Sequence, residues 1–508
     1  MFSLFLGSLL AAIPPPSLAA LLSCCKLFLA AISLISLAAA GQALFGSYCT
    51  YWAHVTDYQS TNNNDKKDGA PLTLDQAVEM IGSKQPQTCK FYLVGSFVWG
   101  SIADIKGRIP VLVLCQIINT LFTIGASTSQ SLWFLTVMRF FWGFGLGGSV
   151  CVTSTYVVEF LPIKNRGRYM EALPAGFSVG LLLVAGSAWL IIPHEEWSWS
   201  THGFTFNSWR LFLLVTAVPP ITSVPLLLTL PESPRYLVQV DKIRKAKTIL
   251  QYVYKKNKKI PLSQASFALQ RVTATNSTRR ELKKFSNITK NILSIITTPK
   301  MRTRFVVSSI ILSSVAFSNF GLILWFPTMI DRMVESNAMS MCEASLPPSN
   351  KTQCDTSDQN SVYTDTFIRV TANIPGHVVY LLLVDRLKRK VLLGVSMILN
   401  AVSVFFIWFV SSPTGSIVMS CVFTALSRLS GDVVHLVSAE LFPTKIRSTA
   451  MGLQKAVFEQ ISSVLAIVLM GALLSVHCAI PILLTAGLLA LGGILTYKLP
   501  NTTNTAIN

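Results

Sequence analysis

Charge is scarce in this chain. Only 13% of its 508 residues are Asp, Glu, Lys or Arg, too few to cover the surface of a soluble protein of this length. Histidine is scarcer still, with six residues scattered along the sequence. No H-E-x-x-H pattern or Walker A loop occurs, and the one G-x-S-x-G match, "GFSVG" at 176–180, lies inside an apolar run with no strand before it, so neither an enzyme nor an ATP-driven pump finds support. The ten cysteines show no metal-ligand spacing, and neither a metal site nor a cofactor is expected. Alternating strand patterns are missing as well, which argues against a β-barrel.

What fills the chain is apolar sequence. Hydrophobic residues make up 51% of it, and the mean hydropathy is +0.52. Runs of 18 or more apolar residues recur throughout, the signature of an all-α polytopic membrane protein. Helices are read at 109–127, 131–158, 170–192, 209–230, 304–327, 363–384, 391–410, 417–439, 449–474 and 479–498. A thirteen-residue run at 91–103, between Lys90 and Asp104, makes an eleventh, although a span needs about 20 residues. A run at 19–48 is a twelfth candidate, so helix one is atypical or missing.

The net charge of +19 is concentrated in one place. Between Arg235 and Arg304 stand 18 Lys or Arg against two acids, Asp241 and Glu281. Such a segment between apolar helices reads as a cytosolic loop under the positive-inside rule. Aromatic stacking partners are sparse around it, so no nucleic-acid partner is expected. With 231–303 inside, parity puts the basic connections at 104–108, 159–169, 385–390 and 440–448 inside too. The loop at 331–362 falls outside. It holds Cys342 and Cys354, a candidate disulfide, and the sequon at Asn350, a candidate glycosylation site. Sequons at Asn276 and Asn287 lie in the basic loop, where they go unused.

An internal repeat accompanies this topology. Asp104 and Arg108 match Asp385 and Arg389 at an offset of 281 positions. "EFLPIKNR" at 159–166 matches "ELFPTKIR" at 440–447 at the same offset. Both motifs lie at cytosolic helix ends. The chain therefore divides into an atypical N-terminal region (1–90), a first bundle (91–230), the basic loop (231–303), a second bundle (304–498) and a cytosolic tail (499–508).

At these residues the sequence resembles the major facilitator superfamily. "GSIADIKGR" (100–108) is similar to its loop signature between helices two and three, "RFFWGFGLGG" (139–148) to its fourth helix, and "PESPRYL" (231–237) to the end of helix six in sugar and organic-ion porters. The stretches at 188–212, 321–330 and 373–386 look like those of the synaptic vesicle glycoprotein 2 family. The resemblance covers about 90 to 498. It implies a major facilitator fold of two parallel six-helix bundles around a central cavity, in a plasma or vesicle membrane. It also implies a first helix carrying membrane-embedded acids after "LDQAVEMIG" (74–82), and none is found there. Lys388 stands where the second-half motif usually has Gly, and Asn501 where the terminal pattern has Glu.

Two groups of residues follow as site candidates. Asp104, Gly107, Arg108, Glu159, Arg166 and Arg168 form a candidate cytosolic gate, repeated by Asp385, Arg386, Arg389, Glu440 and Arg447. Paired charges there would lock the halves and break as the cavity opens inward; the bland alternative is topogenic charge alone. Ionisable or aromatic residues within helices are candidates for the solute or its coupled ion. These are Arg139, Glu171, Trp325, Arg428, Asp432, His435, Lys455 and Glu459. Arg428 and Asp432 stand four apart on one helical face, as do Lys455 and Glu459, where internal ion pairing is an equal alternative. Trp325 reads either as a cavity platform or as an interfacial anchor. Within "GFGLGG", Gly143 and Gly147 supply a G-x-x-x-G packing face, not a dinucleotide loop.

The expected function is secondary active transport of a small organic solute, with a proton or cation as coupled species and the lipid bilayer as surroundings. The alternatives are a transporter-like receptor or regulator that moves nothing, and an inactive product lacking the first helix.

Overall fold

The computed structural model describes residues 95–161, 169–258, 295–336, 359–442, 447–474 and 479–500, apart from positions 97, 198, 202, 203, 296 and 411. The candidate helix at 19–48, Arg166, Arg168, the Cys342–Cys354 pair and Asn350 lie outside them. Among the described residues ten helices are long and apolar enough to cross a membrane, and they coincide with the ten full-length runs read from sequence.

The first half contains α1 (Arg108–Ser127), α2 (Leu132–Phe160), α3 (Ala172–Ile191), α4 (Ser208–Thr216) and α5 (Val218–Leu228). α4 and α5 make one span, interrupted near Pro219 and Pro220, which lack the N–H a continuous helix would use. A two-stranded antiparallel hairpin, β1 (Trp199–Thr201) and β2 (Phe204–Phe206), precedes them, with Trp199 opposite Phe206. The basic segment begins with α6 (Pro234–Gln239) and α7 (Ile243–Lys258). The second half runs through α8 (Pro299–Ser336), α9 (Gln359–Thr371), α10 (Asn373–Leu383), α11 (Arg389–Ile407) and α12 (Pro413–Leu441). α13 (Arg447–Leu453), a π-helical turn (Gln454–Glu459) and α14 (Gln460–Leu474) form one continuous stretch, followed by α15 (Ala479–Leu495).

Helix starts follow ordinary capping chemistry. Ser131 accepts from the Phe134 amide to open α2, and Ser412 from the Gly415 amide to open α12, with Pro413 at the first helical position. The surfaces are inverted relative to a soluble protein. α11 buries Ser396, Asn400 and Ser403 while exposing Val391, Val395, Leu399, Val402 and Phe406 along one face. That distribution suits lipid outside and polar contacts inside.

The 281-residue repeat extends into this interior. Buried Asn119 on α1 corresponds to buried Asn400 on α11, and buried Ser149 on α2 to buried Ser430 on α12. In the first half these two side chains meet: the Asn119 amide donates to Ser149 Oγ at 3.1 Å.

The structure alters one local expectation. The segment before α1 is helical over 98–106, so Asp104 sits on a helical turn rather than in a connecting loop. Trp99 and Ala103 are buried there against α1 and α2. In α2, close approaches fall at Gly145 and Gly148. A Cβ on Gly148 would come within 2.6 Å of both the Trp99 ring and Cys115 Sγ.

Candidate functional site

One cluster is built around Arg108, the first residue of α1. Its guanidinium donates to the Ala103 carbonyl, Asp104 Oδ1 and Glu159 Oε1, each at 3.0 Å. The same side chain lies over the Tyr236 ring at 5.1 Å. Sequence reasoning saw Glu232 and Tyr236 only as parts of a family pattern, and they complete the cluster. Glu232 accepts from the Arg108 and Ile109 amides at 3.0 and 3.3 Å, placing a carboxylate on the positive end of α1. Tyr236 donates from its hydroxyl to the Ile105 carbonyl at 2.9 Å. Gly107 makes this closure possible: its φ is +106°, and a Cβ there would lie 2.5 Å from Glu232 Oε2. Partial desolvation raises the Asp104 carboxyl above the usual carboxylate range against the opposing pull of Arg108, although its side chain stays 57% exposed.

The second-half copy repeats the central pair. Buried Arg389 forms an ion pair with Glu440, the equivalent of Arg108 with Glu159. Asp385 and Arg386 are exposed at the end of the preceding helix. Lys388 has a φ of −62°, so this turn has no need of the glycine that its first-half counterpart requires. Lys390 instead reaches the Tyr497 carbonyl at 2.6 Å. Arg447 opens α13, and its side chain lies outside the described residues.

A second cluster is buried and joins the two halves. Glu171 stands at the start of α3 in the first half, and Arg428 and Asp432 stand one turn apart on α12 in the second. Arg428 Nε lies 3.1 Å from both Asp432 carboxylate oxygens. Between the two acids sits His377 of α10, which the sequence showed only as part of the family-like stretch 373–386. Its Nδ1 is 2.6 Å from Glu171 Oε1 and 3.1 Å from Asp432 Oδ2, and its Nε2 is 2.7 Å from Ser178 Oγ on α3. Side-chain exposure is 0% for His377, 3% for Glu171 and 1% for Asp432. Gly376 lets α10 approach α12 this closely, since a Cβ there would lie 2.5 Å from the Ala425 carbonyl oxygen.

The remaining candidates fall elsewhere. His435 does not join Asp432 in the cluster; its Nε2 faces Glu459 Oε2 at 4.0 Å. Lys455 and Glu459 form no ion pair among the described residues, because their segment is π-helical and side chains four apart no longer align. Arg139 is buried over the Trp142 ring at 5.6 Å on α2. Trp325 lies on α8, and its side chain is outside the described residues. Glu171, His377 and Asp432 are also the described group with metal-ligand potential, offering three atoms within 4.8 Å of one another. Arg428 already engages one of those carboxylates.

The profile of the "Sugar (and other) transporter" family matches residues 91–506. Among curated proteins, mouse synaptic vesicle glycoprotein 2C is 26% identical over 81% of this chain and 72% of its own length. Rat synaptic vesicle glycoprotein 2A is also 26% identical, over 81% and 70%. Among solved structures, the proton:xylose symporter XylE bound to 6-bromo-6-deoxy-D-glucose superposes with a TM-score of 0.68 at 17% identity, covering 94% of this chain and 97% of that one. The inward open conformation of XylE from E. coli gives 0.59 at 16% identity, over 94% and 98%. The apolar spans, the duplicated charge motif and these matches lead to one conclusion: the chain is a multi-pass membrane protein of the sugar (and other) transporter family, a non-enzymatic transporter of the major facilitator type.

Proposed function

We propose that this chain moves a small organic solute by alternating access, driven by an ion gradient. The observation that carries the reading is the Glu171–His377 contact. It sets one ionisable side chain from each half against the other at a fully buried place. An isolated charge in such a place is costly, so groups of this kind mark pathways rather than scaffolding. The Arg108–Glu159 and Arg389–Glu440 pairs brace the cytosolic end of each half at equivalent places. Rocking one half against the other would break the Glu171–His377 contact while leaving these braces whole.

The test is flux in proteoliposomes, with labelled hexose, pentose and tetraethylammonium as probes. Saturable uptake with accelerated exchange supports transport. Binding without flux for every probe supports the receptor-like alternative. Within that assay Asp104→Asn is expected to lower the maximal uptake rate roughly tenfold, equivalent to about 1.4 kcal/mol, with normal delivery to the membrane. Unchanged uptake kinetics would show that the Asp104–Arg108 brace has no part in transport.

A further inference from the structure

The geometry points to His377 as a proton-binding site shared by the two halves of the transporter, filled when Glu171 is against it and emptied when the halves part. The inference rests on the transport reading above and names the coupled ion.

Three potential acceptors converge on one point: His377 Nδ1, Glu171 Oε1 and Asp432 Oδ2, with separations of 2.6 and 3.1 Å from the nitrogen. Lone pairs brought this close in a dry interior repel unless something positive lies among them. A proton on Nδ1 satisfies both carboxylates at once. With Nε2 also protonated, the ring donates its other hydrogen to Ser178 Oγ at 2.7 Å. Imidazolium is the form of this side chain that donates from both nitrogens.

Charge balance gives the same answer. Ionised Glu171 and Asp432 carry two negative charges, and Arg428 neutralises one. A single proton on His377 neutralises the other, leaving a closed cluster with no net charge. A divalent metal in the same place would leave a surplus positive charge beside Arg428. Among the described residues the surrounding elements do not change the count. Tyr380, on the same helix as His377, is within electrostatic reach of both acids and carries no charge as a phenol. Arg369 on α9 is held by its own helix through the Asp365 carbonyl and Thr366. Glu459 and Lys455, beyond Arg428 and next to His435, are of opposite sign.

The cluster is divided between the moving parts. Glu171 and Ser178 belong to the first half, while His377, Arg428 and Asp432 belong to the second. When the halves separate, the second half retains Arg428 with Asp432, already neutral, so a charged His377 becomes a surplus positive charge. Glu171, now facing a hydrated cavity, is solvated as a carboxylate. The proton therefore leaves Nδ1 for water, and the imidazole remains neutral until Glu171 returns. Binding and release of one proton are thereby tied to closing and opening.

The test uses the full chain in proteoliposomes, labelled with [15N]histidine, with protons and Zn2+ as the only probes. The His377 resonances are assigned by difference from His377→Gln. Imidazolium shifts at about pH 7, replaced by neutral-imidazole shifts in Glu171→Gln, are the expected result. The His435 signals are expected to stay the same, because His435 faces Glu459 instead. Ser178→Ala, a milder change across the same contact, is expected to lower the imidazolium fraction in part. Neutral His377 in the wild type, or no response to Glu171→Gln, would overturn the assignment. Saturating displacement of the His377 signal by micromolar Zn2+ would also overturn it, in favour of a metal site. Because no solute is present, absence of flux and absence of the imidazolium signal are separate results.

Discussion

Arg108→Ala is expected to destabilise the first half more than any other single side-chain truncation at its cytosolic end. The guanidinium is 3% exposed and satisfies the Ala103 carbonyl, Asp104 and Glu159 together. Its removal strands the Glu159 carboxylate, whose side chain is 6% exposed, with no other counter-charge at bonding distance among the described residues. Breaking a buried pair from one side costs about 3–5 kcal/mol. Heat-resistant, monodisperse protein after detergent extraction is the readout, and it is expected to fall sharply. The pairing itself is isolated by the double variant Arg108→Gln with Glu159→Gln. That variant removes both charges and is expected to recover much of the loss, with a coupling of roughly 0.5–3 kcal/mol. Strict additivity would show that Arg108 acts through packing on Tyr236 instead.

Gly376→Ala is expected to have the second large effect, and it acts on the membrane-embedded cluster from outside it. The added methyl would meet the Ala425 carbonyl oxygen at 2.5 Å and the Arg428 Cβ at 3.1 Å. The first obstacle is backbone, so it cannot rotate away as the end of a flexible side chain can. α10 must shift away from α12, carrying His377 away from Asp432. Overpacking of this kind costs about 1–3 kcal/mol, or roughly tenfold in population for each 1.4 kcal/mol. A lowered melting midpoint is expected, together with partial loss of the His377 imidazolium signal. Wild-type behaviour in both measurements would show that the α10–α12 contact does not position the histidine.

The two regions differ in how far the sequence foretold them. The cytosolic cluster is readable because its partners recur: Asp104, Arg108 and Glu159 stand at the same offset from Asp385, Arg389 and Glu440. Glu232 is harder to see, because its role depends on a helix N-terminus 124 residues away in sequence. The embedded cluster is half readable. Arg428 and Asp432 declare themselves by spacing along one helix. His377 sits in an apolar run and takes its meaning from Glu171, 206 residues away. The only local sign is a histidine beside a glycine in "IPGHVV", which tells of close packing once the partner helix is known.

Period also misleads where the backbone departs from it. Lys455 and Glu459 look like an α-helical pair, but the turn that carries them is π-helical, which redirects Glu459 toward His435. The Asp104 motif looks like a loop, and its first part is the last turn of a helix. Helix existence and burial pattern follow from the apolar runs, whereas contacts between helices depend on register that a linear reading does not contain.

The central claim is that the two halves move against each other across the Glu171–His377 contact. Spin labels carried on p-acetylphenylalanine at positions 105 and 387 test it most directly. Ile105 and Leu387 are 70% and 41% exposed, beside the repeated charge motifs of opposite halves. Pulsed dipolar spectroscopy in proteoliposomes is expected to give two distances. Glu171→Gln should shift the population toward the longer one by roughly tenfold, since a hydrogen bond between charged groups contributes about 1.5–3 kcal/mol. A single distance, unchanged by Glu171→Gln, would contradict the account.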